Sequence, residues 1–112
     1  MIVSANSSDG ELLTEIALTS KAYWGYSKEN ISSWLEDLTV TSKIILECDV
    51  YKFLQDDKIS GFYILNPPVK DSIELEMLFV LPNFIGKGIG KQLLIHSFKE
   101  AQKSNCKSMT FL

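Results

Sequence analysis

The chain has 112 residues and a mass of 12.6 kDa, room for one small domain spanning 1–112 and no second. With 46% hydrophobic and 22% charged residues, six Gly and three Pro, the composition excludes disorder and collagen-like repeats and permits a core. Net charge is −3 but uneven: residues 1–84 carry six Lys against thirteen acids (−7), and 85–112 carry five Lys against Glu100 alone (+4). A cationic segment in an acidic protein points to a locally bound anion.

In chain order, Ile2-Val3-Ser4 reads as a short first strand. Ser8-Asp9-Gly10-Glu11 has the capping-box pattern, and Leu12, Leu13, Ile16 and Ala17 recur at helical spacing, which predicts a helix from about Asp9 to Ala22, stopped by Gly25. Ser27 is placed to cap a second helix carrying Ile31, Trp34, Leu35 and Leu38 at i, i+3, i+4, i+7. Val50–Leu54 and Ile59–Leu65 are rich in β-branched and aromatic residues and flank the polar loop Gln55–Lys58, a hairpin. Asn66-Pro67-Pro68 ends it. Ile73–Leu81 alternates at first, Ile73, Leu75 and Met77 against Glu74 and Glu76, then becomes wholly apolar, as a central strand does when one end is more buried. From Gly88 to about Ser104, Ile89, Leu93, Leu94, Phe98 and Ala101 form a helical stripe, and Lys107–Leu112 reads as a last strand. The order β-α-α-β-β-β-α-β implies one parallel crossover near the end.

Several partners are disfavoured. No apolar run exceeds Met77–Leu81, far short of the ~20 residues of a membrane helix, and no basic-then-apolar leader opens the chain. All eleven basic residues are Lys, which serves base and phosphate reading poorly compared with Arg, so nucleic acid is not expected. Cys48 and Cys106 stand far apart without a second pair, as reduced thiols in a cytoplasm do. His96 lacks a Cys or His partner at metal spacing, so no metal is expected. Neither cysteine has a catalytic dyad that can be assembled around it.

The most informative stretch is Val80-Leu81-Pro82-Asn83-Phe84-Ile85-Gly86-Lys87-Gly88-Ile89-Gly90-Lys91. Alternating glycines between a strand and a helix let a ligand approach the backbone, and amides at a helix start face outward as anion donors, with Lys87 and Lys91 adding charge. The rival reading is a turn with no ligand and lysines on a solvated face. A P-loop would need Gly at 85 and Ser or Thr at 92, where the chain has Ile85 and Gln92. A dinucleotide fingerprint would need Gly where Lys91 stands.

The stretch resembles the acyl-CoA pyrophosphate loop of the GNAT superfamily, the CoA-dependent N-acetyltransferases. The pattern there is Gln or Arg, two residues, Gly, one residue, then Gly or Ala. Gly88-Ile89-Gly90 fills the glycine part, while Ile85 stands at the Gln/Arg position and forgoes one polar contact. Tyr23-Trp24-Gly25-Tyr26-Ser27, the helix order and Glu74-Leu75-Glu76-Met77-Leu78-Phe79-Val80 resemble small bacterial members, so the resemblance covers the whole chain.

The resemblance implies an α+β fold with a mostly antiparallel sheet and flanking helices, acting in acetyl transfer from acetyl-CoA to a primary amine. It implies backbone contacts from Leu78, Phe79 and Val80 to the pantetheine arm, and pyrophosphate held by Ile85, Gly86, Lys87, Gly88, Ile89, Gly90 and Lys91. Glu74 best matches the family's base, with Glu76 second on the same strand face; either needs partial burial to work near neutral pH. Trp24 and Tyr26 fall where the acceptor enters, though aromatic residues beside a turn often only pack. Complete members continue with another helix, bringing a tyrosine acid, and two strands, so the resemblance implies a C-terminally truncated member whose open sheet edge pairs in a homodimer. Two rivals stand beside an active enzyme: a domain that holds CoA without turnover, and an interaction module with an empty loop.

Overall fold

Segments rich in β-branched and aromatic residues pair in the order in which they occur along the chain. The computed structural model describes residues 1–111. Strands β1 (Ile2–Ser4), β2 (Asp49–Gln55), β3 (Lys58–Leu65), β4 (Ser72–Val80) and β5 (Ser108–Phe111) form one sheet in the order β1-β2-β3-β4-β5. All pairs are antiparallel except β4–β5, which is parallel. This is the expected α+β, mostly antiparallel architecture with one crossover. The expected final strand Lys107–Leu112 is found as Ser108–Phe111, its last residue lying outside the described residues.

Helix α1 (Gly10–Tyr23) covers one face of the sheet and α5 (Ile89–Lys103) the other. Between them run three short helices, α2 (Lys28–Ser33), α3 (Leu35–Leu38) and α4 (Ser42–Glu47). Leu13, Ile16 and Ala17 of α1 bury against Phe62, Ile64 and Met77. Leu93 and Ala101 of α5 bury against Tyr63, Leu65, Ile73 and Leu75. Each such Leu, Ile or Phe contributes about 1.5–3 kcal/mol by leaving water. The β2–β3 turn runs through Asp56 (φ 52°) and Asp57 (φ 64°), the pair of left-handed residues that a two-residue hairpin needs to match strand twist.

Four local expectations are corrected. The N-terminal capping contact lies two residues earlier than Ser8–Glu11: Ser7–Asp9 is a 3-10 turn, and the Asn6 amide donates to Asp9 Oδ2 at 2.8 Å. The helix expected over Ser27–Leu38 keeps its cap, Ser27 Oγ accepting from the Asn30 amide at 3.1 Å, but breaks at Trp34. There Ser33 Oγ donates to the Asn30 carbonyl at 2.7 Å, a local bond that competes with helix continuation. Helix α4 was not expected; six residues capped by Thr41 are too short to show a period. On α5 the buried stripe turns to Ile89, Leu93, Ser97 and Ala101, leaving Phe98 exposed.

Strand β4 departs from alternation. Ile64 pairs with Met77 but Leu65 pairs with Leu75, so Glu76 has no residue opposite. This β-bulge shifts the pleat by one. Ile73 and Leu75 therefore face α5, whereas Met77, expected beside them, packs on the α1 side with Phe62 and Ile64.

Candidate active site

The bulge sets the chemistry of β4. It keeps Glu74 and Glu76 together, and the Asn66 side chain joins them: Nδ2 donates to Glu74 Oε1 at 2.7 Å and to Glu76 Oε2 at 2.9 Å. Asn66 is itself fixed, its amide N–H donating to the Glu74 carbonyl at 2.9 Å and its Oδ1 accepting from the Cys48 thiol at 3.8 Å. The two carboxylates do not face the same space. Glu76 lines a pocket of about 620 Å³ with Lys21, Trp34, Asp37, Leu78 and Phe79, whereas Glu74 lines a groove with Pro67, Pro68 and Thr110. A cavity of about 650 Å³ between α1 and the β2–β3 turn contains neither carboxylate.

Strand β5 pairs with β4 only from Ser72 to Leu75, so among the described residues Leu78, Phe79 and Val80 pair with β3 on one side and have no strand on the other, where the Val80 carbonyl accepts from the Ser20 hydroxyl at 3.1 Å. This edge runs into a 3-10 turn (Pro82–Phe84) and then into the glycine loop. Gly86 (φ 88°) and Gly88 (φ 79°) take left-handed conformations that a side chain would strain, and a Cβ at either would meet nothing within 4 Å. Gly88 caps α5. The first intrahelical bond there is Gln92 N–H to the Gly88 carbonyl at 3.1 Å, so the Ile89, Gly90 and Lys91 amides point outward without helix partners. The Ile89 side chain is buried, whereas Ile85, Lys87 and Lys91 are exposed, and Lys87 Nζ lies 5.6 Å from the Phe84 ring. Backbone donors, a positive helix end and open space make a cradle that fits a diphosphate.

The two aromatic candidates part company. Tyr26 packs edge-on to Trp34, ring centroids 5.1 Å apart, beside the pocket; Trp24 is 66% exposed and packs edge-on to Tyr23. Sequence reasoning missed Asn66, Lys21, Trp34 and Asp37. Trp34 was read as part of a packing stripe, and nothing in an Asn-Pro-Pro turn marks its amide as a clamp. His96 accepts or donates at Nδ1 with the buried Tyr63 hydroxyl, 2.8 Å away, and burial lowers its pKa. Cys48 and Cys106 are free thiols. Among the described residues, no group of three His, Cys, Asp or Glu is arranged for a metal, and no helix is long and apolar enough to cross a membrane.

Comparison with known proteins places this geometry in context. The model of the Acetyltransferase (GNAT) family matches residues 16–112. No curated protein sequence matches the chain. Among solved structures, the PaiA N-acetyltransferase of Thermoplasma acidophilum in complex with coenzyme A is 26% identical with a TM-score of 0.81, covering 93% of this chain and 72% of that one. A GNAT family acetyltransferase from Elizabethkingia anophelis with acetyl-CoA bound is 21% identical with a TM-score of 0.70, covering 99% and 63%. The ribosomal-protein-S18-alanine N-acetyltransferase of Escherichia coli is 22% identical with a TM-score of 0.67, covering 93% and 60%. The chain thus spans less than two thirds of the last two, which share its fold.

Proposed function

Because the chain belongs to the GNAT family of acetyltransferases, we propose that it transfers an acetyl group from acetyl-CoA to a primary amine of a small molecule or protein. The observation that carries this reading is the continuity of the β4 edge that no strand covers, Leu78–Val80, with the outward-facing amides at the start of α5. The loop from Ile85 to Lys91 would hold the diphosphate on backbone amides, with Lys87 and Lys91 adding a screened attraction. Leu78, Phe79 and Val80 would offer backbone groups to the pantetheine arm. The donor supplies a thioester whose carbonyl carbon the amine attacks.

The amine arrives as an ammonium and must lose a proton first. Glu76 suits that task better than Glu74, because it lines the pocket that contains Leu78 and Phe79. Asn66 binds Glu76 Oε2 and so leaves Oε1 to face the amine. Glu74 is then a positioning residue, acting through Asn66. Tyr26 and Trp34 wall the acceptor side, with Trp24 beyond them. The reading places the enzyme in a cytoplasm, where acetyl-CoA is met and thiols stay reduced, and as a homodimer.

Acetyl-CoA with a panel of amines, followed by free-thiol release and thermal shift, tests the proposal. Amine-dependent thiol release is expected. Glu76→Gln should lower turnover roughly 10²–10⁴-fold with unchanged CoA affinity, less so at high pH where more amine is already neutral. Glu74→Gln should do less. A thermal shift without turnover on any amine means a CoA-binding domain, and no shift at all means an interaction module. Loss in Glu74→Gln alone reverses the two roles.

A further inference from the structure

Lys21 lies in the last turn of α1, which Ser20 fastens to β4 by donating its hydroxyl to the Val80 carbonyl at 3.1 Å. Its ammonium pairs with no carboxylate: among the described residues no acid lies within 4.0 Å of it. Instead Nζ sits over three rings, 5.1 Å from the centroid of Tyr26, 5.3 Å from Trp34 and 5.9 Å from Phe79. Ring faces attract a cation and hold it in place. Lys21 thereby lines the same pocket as Glu76, Leu78 and Phe79. A primary amine of the protein itself thus stands in the pocket that the proposed function gives to the acceptor.

We propose that the protein acetylates its own Lys21. The proposal rests on the reading that the β4 edge and the glycine loop hold acetyl-CoA. The Lys21 ammonium releases a proton to water, its nitrogen forms the amide bond with the acetyl carbonyl carbon, and the carbon–sulfur bond breaks. The thiolate leaves and takes the second nitrogen proton, giving CoA thiol and N-acetyl-lysine. Acetylation removes the charge and the cation–ring attraction. The pocket, with Asp37 and Glu76 against Lys21, passes from −1 to −2, which favours a cationic acceptor and frees the aromatic wall.

The test incubates the full chain with acetyl-CoA and no acceptor, then reads intact mass and the modified lysine in its peptides. One acetyl group, about 42 Da, is expected on Lys21. It should appear on the order of tenfold faster than on the exposed Lys28 and Lys43, because the pocket holds the amine beside the donor. The rate should not depend on protein concentration, excess CoA should suppress it, and Lys21→Arg, which keeps charge and ring contacts, should abolish it. Equal labelling of all three lysines, or an unmodified Lys21 in protein shown by calorimetry to bind acetyl-CoA, overturns the proposal. Failure to bind acetyl-CoA overturns the acetyl-CoA reading along with it.

Discussion

Lys52 carries an ammonium onto the buried side of β2, where only a partner can make it tolerable. That partner is Asp9, whose Oδ2 lies 2.7 Å away, with each side chain 11% exposed. Burial pushes the Asp9 carboxyl up, but the hydrogen bond from Lys52, the Asn6 amide and the Lys52 charge together bring it below its ordinary 3.8. A carboxyl depressed by folding stabilises the protein above its unfolded value, and that contribution disappears as pH falls through the folded one. Asp9→Asn should therefore cost about 3 kcal/mol at pH 7, since it strands a buried cation. The cost should shrink on acidification below the ordinary carboxyl range. Asp9→Asn combined with Lys52→Met should recover most of the loss, because no charge remains to strand. Urea unfolding of the wild type and both variants at pH 7 and in acid measures this; equal stability of the single variant and the wild type at pH 7 contradicts it.

At the scale of elements, the loop before α5 separates two effects of one glycine. Gly88→Val places a branched side chain at φ 79°, costing roughly 1–2 kcal/mol of backbone strain, and also fills the open space over the amides. Gly88→Asn tolerates the left-handed conformation but fills the same space. Both should weaken CoA binding at least about tenfold, or 1.4 kcal/mol, while only Gly88→Val should markedly lower the melting temperature. Lys87→Ala should cost under about 1 kcal/mol of binding and lose its effect in salt. Unchanged CoA affinity in Gly88→Asn means the diphosphate sits elsewhere. This loop was legible because glycine, helix start and charge coincide in twelve consecutive residues. The hairpin, α1 and α5 were legible from period and punctuation. The bulge was not, because Glu74-Leu75-Glu76-Met77 alternates perfectly on paper and only pairing with β3 shows that Glu76 is the extra residue. The Asn66 clamp and the Lys21 ring cluster were hidden for the same reason: each joins elements far apart in sequence. Nothing in the Val50–Leu54 segment marks Lys52 as inward-facing, and its buried partner Asp9 lies 43 positions away.

On the scale of the whole molecule, the sheet formed by the described residues has two edges, and they are not equally protected. Strand β1 has three residues, and shortness itself blunts an edge. Strand β5 has four, Ser108-Met109-Thr110-Phe111, with no Lys, Pro or bulge among them, and among the described residues only β4 pairs with it. Phe111 is 62% exposed, and Phe98, 41% exposed, lies along the same margin beside Met109. An unpaired ladder bordered by aromatic side chains favours a second copy, and two β5 strands can meet antiparallel about a two-fold axis, each giving the other its Phe111. Sedimentation over a wide concentration range should show the 12.6 kDa species giving way to one of twice that mass. Phe111→Lys replaces the apolar contact by two like charges on facing strands. It should move that transition to at least about tenfold higher concentration. The melting temperature of the dilute monomer should hardly change, since the exposed ring packs little of the monomer's own core. A single 12.6 kDa species at every concentration, or a dimer indifferent to Phe111→Lys, removes the β5 edge from the interface.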